Sequence, residues 1–107
     1  MNTQHIVVFV TAKDQQQART ISQKLLEAKL VACVNIIPAV ESWFWWEGKV
    51  DQSQEAMMVI KSRRDLFPQI FKVVKAAHSY QVPEIIALPL VEGSAEYLRW
   101  IDESVQS

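Results

Sequence analysis

The feature that most constrains the fold is a long aromatic stretch with one turn signal near its middle. Residues 30–46 are rich in β-branched and aromatic side chains, and residues 49–61 form a second strand-like segment after Glu47-Gly48. Each arm has about 13–15 residues, so a straight hairpin would extend roughly 45 Å. A compact domain of this chain length has a radius of gyration of about 13 Å and a diameter of about 35 Å. The hairpin is therefore predicted to project beyond its own domain, with a bend or bulge at Pro38.

The projecting tip is aromatic on both of its faces. It contains Trp43, Phe44, Trp45 and Trp46 in succession, and successive strand residues point to opposite sides. In water these rings would form an apolar patch of a size that soluble monomers avoid, on a two-stranded ribbon that is barely stable alone. The pattern favours a homo-oligomer; the alternative is a ribbon folded back over its own sheet, with the Trp residues in an enlarged core.

A short strand and a helix precede the hairpin. Residues His5–Ala12 are apolar and β-branched, which is typical of a buried strand. Asp14 is predicted to be the N-cap of a helix running from about Gln15 to Lys29, and Gln17 completes a capping box. The apolar face of this helix is formed by Ala18, Ile21, Leu25 and Ala28.

A second helix, a strand and a last helix follow the hairpin. Asp65 is the predicted N-cap of helix two, with Pro68 in its first turn. Residues 84–90 are predicted to form a strand buried on both faces, and Gly93-Ser94 opens the last helix. The apolar positions of helix two are Leu66, Ile70, Val73, Val74 and Ala77, and those of the last helix are Tyr97, Leu98, Ile101 and Val105.

The element order is β-α-β-β-α-β with an added C-terminal helix. This is the ferredoxin-like α/β (α+β) pattern, an antiparallel sheet with its helices on one face. No linker or repeat interrupts residues 1–107, which are predicted to form one domain.

Composition excludes several function classes. A formal net charge of −1 gives no positive field for nucleic acid or an anionic membrane, and no apolar run is long enough to span a bilayer. The first five residues lack the features of a secretory signal, which favours a cytoplasmic protein. The single cysteine, Cys33, excludes an internal disulfide and a CxxC motif, and is interpreted as a small core residue. Because no Gly-rich phosphate loop, HExxH or GxSxG occurs, the chain is not expected to be an enzyme.

Several segments together resemble the CutA divalent-cation tolerance family. The matching segments are residues 10–12 (VTA), 32–38 (ACVNIIP), 45–49 (WWEGK), 59–62 (VIKS), 78–84 (HSYQVPE) and 97–100 (YLRW). The resemblance implies a ferredoxin-like homotrimer with sheets joined edge to edge around a threefold axis, similar in build to PII-type signalling trimers. It also implies a role in tolerance of divalent metals, chiefly copper.

The same resemblance also implies which residues bind the metal. His78 and Glu84 match the family's pattern and are the predicted ligands for Cu²⁺ or another divalent cation. Copper-binding members have Cys where Val10 stands here and His where Ala77 stands, and Ser79 replaces the usual Pro. The alternative role for His78 is a capping or ion-pairing one at the C-terminus of helix two.

A second predicted site is an inter-subunit cleft for a small anionic ligand. Its proposed residues end strands or occupy turns, and they are Tyr80, Glu84, Lys61, Trp46, Glu47 and Lys49. Alternatively, Glu84 and Lys61 form an ion pair that organises neighbouring strands. Two functions remain open: a homotrimeric metal- or small-ligand-binding module, and a structural or PII-like interaction trimer without a specific metal site.

Overall fold

Four strands form one antiparallel sheet in the order β2-β3-β1-β4. The computed structural model describes residues 4–106; residues 1–3 and 107, part of the predicted domain, lie outside them. The strands are β1 His5–Ala12, β2 Cys33–Trp46, β3 Lys49–Arg63 and β4 Ile85–Pro89. This order confirms the predicted ferredoxin-like arrangement, in which β3 lies between the two strands joined by the first helix.

Three α-helices accompany the sheet: α1 Gln15–Glu27, α2 Phe67–Ala77 and α3 Ala95–Ser104. Helices α1 and α2 pack on one face and bury the side chains of alternate strand positions. The fully buried members of this core include Val8, Val10, Met58, Ile60, Ile21, Leu25, Ile70 and Val74. Among residues 4–106, no helix is both long enough and apolar enough to cross a bilayer.

Helix α1 begins at the predicted cap. The Asp14 carboxylate accepts the Gln17 backbone N–H at 2.8 Å, and the Gln17 side-chain oxygen accepts the Lys13 N–H at 2.9 Å. The helix ends at Glu27, two residues before the predicted end, because Lys29 adopts a left-handed φ of 56°. The Leu30 N–H then bonds back to the Leu25 carbonyl at 3.1 Å, which closes the helix end as a Schellman motif.

The predicted cap of α2 is wrong. Asp65 lies in a 3₁₀ turn, Arg64–Leu66, and the N-cap of α2 is Leu66, whose side chain makes no capping bond. The Asp65 carboxylate instead accepts two hydrogen bonds from the Arg63 guanidinium, at 2.8 and 3.0 Å, and this pairing lowers the pKa of Asp65. Pro68 is in the first turn of α2, as predicted.

Strand β4 is an edge strand rather than a strand buried on both faces. It pairs only with β1 among the described residues, and it is shorter than predicted. The side chains of Ile86 and Leu88 are 52% and 53% exposed. An uncharged edge strand with exposed apolar side chains is an available surface for another chain.

The hairpin of β2 and β3 extends away from the helices as predicted. Backbone pairing continues to Trp46 and Lys49, where Glu47 and Gly48, with φ of 50° and 79°, form a two-residue turn of the type I′ kind. A bulge interrupts the register between Ile37 and Val40, at the predicted position. The described residues measure 44 × 28 × 22 Å, and we call the part of the hairpin beyond the bulge, residues 40–55, the ribbon.

The ribbon does not fold back over its own sheet. Trp43 and Trp45 are 62% and 74% exposed, and Phe44 and Trp46 are also exposed. The alternative of an enlarged core containing these rings is therefore wrong for the single chain.

Helix α3 contacts the sheet on the side opposite to α1 and α2. The His5 Nε2 lies 3.0 Å from the Asp102 carboxylate, and His5 alternates with the core residue Ile6. After the helix, the Gln106 N–H donates to the Lys29 carbonyl at 2.8 Å, which ties the chain end to the end of α1.

The cap of α1 provides a test of this local structure. Asp14→Ala removes the acceptor for the Gln17 N–H and is expected to lower the free energy of unfolding by about 1 kcal/mol. Chemical denaturation at fixed protein concentration measures this loss, with the exposed Glu27→Ala at the other end of α1 as control. An equal effect of the two substitutions would contradict the assigned cap.

Candidate functional site

A buried carboxylate, that of Glu55, lies at the root of the ribbon. Glu55 is only 8% exposed and stands opposite Val40, at the first pair beyond the β2 bulge. Its carboxylate accepts a hydrogen bond from the Tyr80 hydroxyl, and Glu84 lies close enough to interact with it electrostatically. We call Glu55, Tyr80 and Glu84 the carboxylate cluster.

Burial and like charge set the electrostatics of this cluster. Burial, the hydrogen bond to Glu55 and the negative charges of Glu55 and Asp14 raise the pKa of Tyr80 to about 12. Burial, followed by repulsion from Glu55, raises the pKa of Glu84. Two carboxylates in a poorly solvated position repel each other, so a proton or a bound cation would stabilise them.

His78 is held by hydrogen bonds at both ring nitrogens. It is the C-cap residue of α2, where Nε2 lies 2.6 Å from the Thr11 carbonyl oxygen and Nδ1 lies 3.1 Å from the Tyr80 backbone nitrogen. A carbonyl only accepts and an N–H only donates, so these contacts fit the neutral Nε2–H tautomer. A metal ion on His78 would displace one of these bonds, and the metal role of His78 stays a prediction.

The two positions at which the family resemblance implies a Cys and a His ligand are apolar here. Val10 is fully buried, and Ala77 packs against the same core. Val10 is paired with Ile85, the residue next to Glu84. Among residues 4–106, no group of three or more His, Cys, Asp or Glu side chains is placed to hold a metal ion.

Lys61 lies at a different place from the carboxylate cluster. It is six residues from Glu55 along β3, which corresponds to about 20 Å, and its ammonium donates to the Asn35 side-chain oxygen. The Cys33 thiol is 3.8 Å from the same oxygen. The alternative ion pair between Glu84 and Lys61 does not form in the single chain.

The turn residues of the predicted cleft lie at the far tip of the ribbon. Trp46, Glu47 and Lys49 line a concavity of about 390 Å³, together with Val50 and Asp51. Lys49 is six residues from Glu55 along β3, again about 20 Å. Within one chain the predicted cleft residues therefore occupy three separate places, and the inter-subunit cleft stays a prediction.

Sequence reasoning missed Glu55, the most buried residue of the cluster. Its signal was present: it is two residues from Met57, so alternation places a carboxylate on the same strand face as apolar residues. A carboxylate on an apolar strand face needs a polar partner from another part of the chain, and the sequence around Glu55 does not indicate which part. In the structure the partner is Tyr80.

The raised pKa of Tyr80 makes the cluster testable. Tyr80 in the Tyr97→Phe background is expected to ionise near pH 12, and Glu55→Gln should lower its pKa without restoring the ordinary value, because burial remains. Absorbance of the tyrosinate measures both titrations. The contribution of Tyr80 to stability is fully present below about pH 10, the unfolded pKa, and is lost as the pH rises towards 12. A Tyr80 titration unchanged by Glu55→Gln would contradict the hydrogen bond.

Comparison with known proteins agrees with this fold and its motifs. The family model described as CutA1 divalent ion tolerance protein matches residues 6–104. The divalent-cation tolerance protein CutA of Archaeoglobus fulgidus is 45% identical over 102 residues, covering 95% of this chain and 99% of the relative. The Thermus thermophilus protein of the same name is 45% identical over 98 residues, covering 92% and 95%.

Solved structures of such proteins superpose closely on this chain. The structure from Archaeoglobus fulgidus, which is described as periplasmic, has a TM-score of 0.93 at 44% identity and covers 95% of this chain and 99% of that one. CutA1 from the psychrotrophic Shewanella sp. SIB1 has a TM-score of 0.94 at 40% identity, with 97% of each chain covered. The chain therefore belongs to the CutA1 divalent-ion tolerance protein family.

Proposed function

We propose that the chain functions in divalent-cation tolerance as a homotrimer that binds a divalent cation, chiefly copper(II), at the boundaries between its copies. Glu84 and Glu55 are the proposed oxygen ligands, completed by groups of a neighbouring copy. The role is binding rather than catalysis, and the cytoplasm is the proposed location.

The exposed ribbon is the observation that supports assembly most strongly. Its two strands pair with each other, but the outer edge of β2 is unpaired and the aromatic side chains are exposed in the single chain. Strand β4 adds a second apolar, uncharged edge, with Ile86 and Leu88 exposed. The two edge strands of the sheet, β2 and β4, are both uncovered. This favours a head-to-tail ring, because each β2 edge can then pair with the β4 edge of the next copy.

The carboxylate cluster supports the cation. Glu55 and Glu84 raise the local negative charge, and no Lys or Arg forms an ion pair with either carboxylate among the described residues. Oxygen and imidazole ligands suit copper(II), which requires about four ligands in all. One chain supplies two, so a complete site needs neighbouring residues or water.

A second function is an interaction trimer with no specific metal site. The observation that favours it is the state of His78, whose two nitrogens already bind Thr11 and Tyr80. In this alternative the carboxylate cluster organises the root of the ribbon, and the ribbon or the tip concavity recognises a partner protein.

Assembly is tested by the oligomeric state in solution. Sedimentation at micromolar concentration is expected to show a trimer, because the apolar ribbon and the β4 edge otherwise remain in water. Leu88→Lys, which adds a charge to the exposed β4 edge, is expected to weaken association by at least about tenfold. Lys72→Glu on the exposed side of α2 is the control. A wild-type monomer would contradict both proposed functions.

Cation binding is tested on the trimer by calorimetry with copper(II). Glu84→Gln, which removes a charge but keeps the shape, is expected to weaken binding by at least about tenfold. The exposed Glu92→Gln should leave binding unchanged. His78→Ala separates the two ligand assignments, since an effect equal to that of Glu84→Gln identifies His78 as a ligand. No saturable binding by the wild type would favour the interaction trimer.

A further inference from the structure

The segment between α2 and β4, residues 78–84, is bonded through four consecutive residues to four different elements. The first of these residues is bonded to β1 and the third to β3. The other two bonds come from the helices. The Gln17 amide of α1 donates to the Ser79 hydroxyl oxygen at 2.9 Å. The Lys75 ammonium of α2 donates to the Gln81 carbonyl at 2.7 Å. We call residues 78–84 the linking segment.

The amide of Gln17 is oriented by the cap of α1. Its oxygen accepts the Lys13 backbone N–H at 2.9 Å. Because a backbone N–H only donates, the amide nitrogen is the group that points towards Ser79. The Gln17 backbone N–H is itself bonded to the Asp14 carboxylate. The capping box therefore presents a fixed donor, and little side-chain freedom is lost in its bond to Ser79.

A second observation places the start of α1 beside the carboxylate cluster. Burial and Glu55 are the larger causes of the raised pKa of Tyr80, and the charge of Asp14 is a further cause. Asp14 has the same charge as the carboxylates of the cluster, so their mutual repulsion does not hold the helix start against the linking segment. The neutral bond between Gln17 and Ser79 joins them instead.

The position of Glu84 depends on the linking segment. Glu84 directly precedes β4, which begins at Ile85, and it lies three residues after Gln81, the last residue of the segment that is bonded to a helix. The strand fixes one side of Glu84, and the bonds of the segment fix the other.

We propose that Gln17 and Ser79 are positioning residues of the cation site, which fix the linking segment so that Glu84 is held beside Glu55. This inference rests on the proposed function and assigns a contact that prepares the site for the ion. Neither residue touches the ion. Their bond raises the fraction of chains in which the segment has its binding conformation, and the apparent affinity for the ion is proportional to that fraction.

The backbone at position 79 allows a proline ring to replace this bond. His78 has φ of −88° and ψ of 145°, the extended conformation that a residue before proline adopts. Ser79 is not in the left-handed region, and within residues 4–106 its N–H donates no hydrogen bond. Proline at this position therefore removes no donor that is in use, and it restricts the same segment without a hydroxyl.

A double-mutant cycle in copper(II) affinity, measured by calorimetry on the assembled protein, tests the proposal. Ser79→Ala is expected to weaken binding about three- to tenfold, the effect of losing one neutral hydrogen bond. Ser79→Pro should stay within about twofold of the wild type, because the ring restricts the segment. Gln17→Ala should weaken binding in the wild-type chain but not in the Ser79→Ala chain, where its partner is already absent. The exposed Gln16→Ala on α1 is the control.

The same cycle separates positioning from a merely structural role. Gln17→Ala also removes the acceptor of the Lys13 N–H, so it lowers the free energy of unfolding whichever residue stands at position 79. Chemical denaturation measures that loss. Only the loss of copper(II) affinity is expected to depend on Ser79.

Exchange of the Tyr80 backbone N–H gives a measurement that needs no metal ion. This N–H is bonded to His78 Nδ1 at 3.1 Å within the linking segment. Ser79→Ala and Gln17→Ala should speed its exchange with solvent about three- to tenfold, since the segment opens more often. Ser79→Pro should leave the exchange rate close to that of the wild type. Nuclear magnetic resonance measures the rate at this single amide.

The outcomes separate this inference from the proposed function. Non-additive losses of affinity, with recovery in Ser79→Pro, support the positioning role. If the wild type binds copper(II), unchanged affinity in Ser79→Ala or additive losses overturn that role and leave the cation site in place. An equal loss in Ser79→Pro with unchanged circular dichroism overturns it as well. If the wild type binds no copper(II), the cation site fails, and the positioning of the segment is then supported by faster Tyr80 exchange in Ser79→Ala or overturned by unchanged exchange.

Discussion

The pairing of β2 with β3 beyond the bulge is the interaction on which the rest of the molecule depends. Backbone hydrogen bonds continue to Trp46 and Lys49, so the inward-pointing peptide groups of the two strands pair with each other beyond the end of the core. The side chains of the same residues remain in water. Folding of one chain therefore pairs the two strands of the ribbon with each other, but it leaves their outward backbone groups and their aromatic side chains uncovered.

The root of the ribbon is held by polar contacts in addition to the packing of Ala12 and Ala56 in the core. His78 joins the end of β1, through the Thr11 carbonyl, to the segment containing Tyr80. Tyr80 in turn donates to Glu55 on β3. These contacts fix the ribbon relative to the end of α2, and they place Glu84 beside a second carboxylate. A structural network and a candidate cation site thus share the same residues.

The features that could be predicted from the sequence are those that depend on hydrophobic periodicity and on the residues of a turn or helix cap. The bulge at Pro38, the turn at Glu47-Gly48 and the cap at Asp14 depend on neighbouring residues alone, and each was found. Asp65 was wrongly assigned as a cap because the Arg63 guanidinium, two residues away, binds its carboxylate, a competition that the N-cap pattern does not take into account. Glu55 was missed, and the burial of β4 overestimated, for a common reason: both depend on which distant segment, or which other copy, covers a strand.

Ligand binding and assembly would be linked if both proposals hold. The exposed aromatic side chains of the ribbon, the exposed apolar side chains of β4 and the carboxylate cluster lie at the sheet edges or at the ribbon root, away from the closed core between the sheet and helices α1 and α2. A cation held between copies stabilises the assembled state by mass action, since the separated chain offers it only two carboxylates. The apolar contacts supply affinity that does not depend on the ion. The assembly would therefore persist without a cation, and it would bind a cation through carboxylates that the assembly already holds in place. Such a protein responds to a metal ion and does not unfold when the ion is absent.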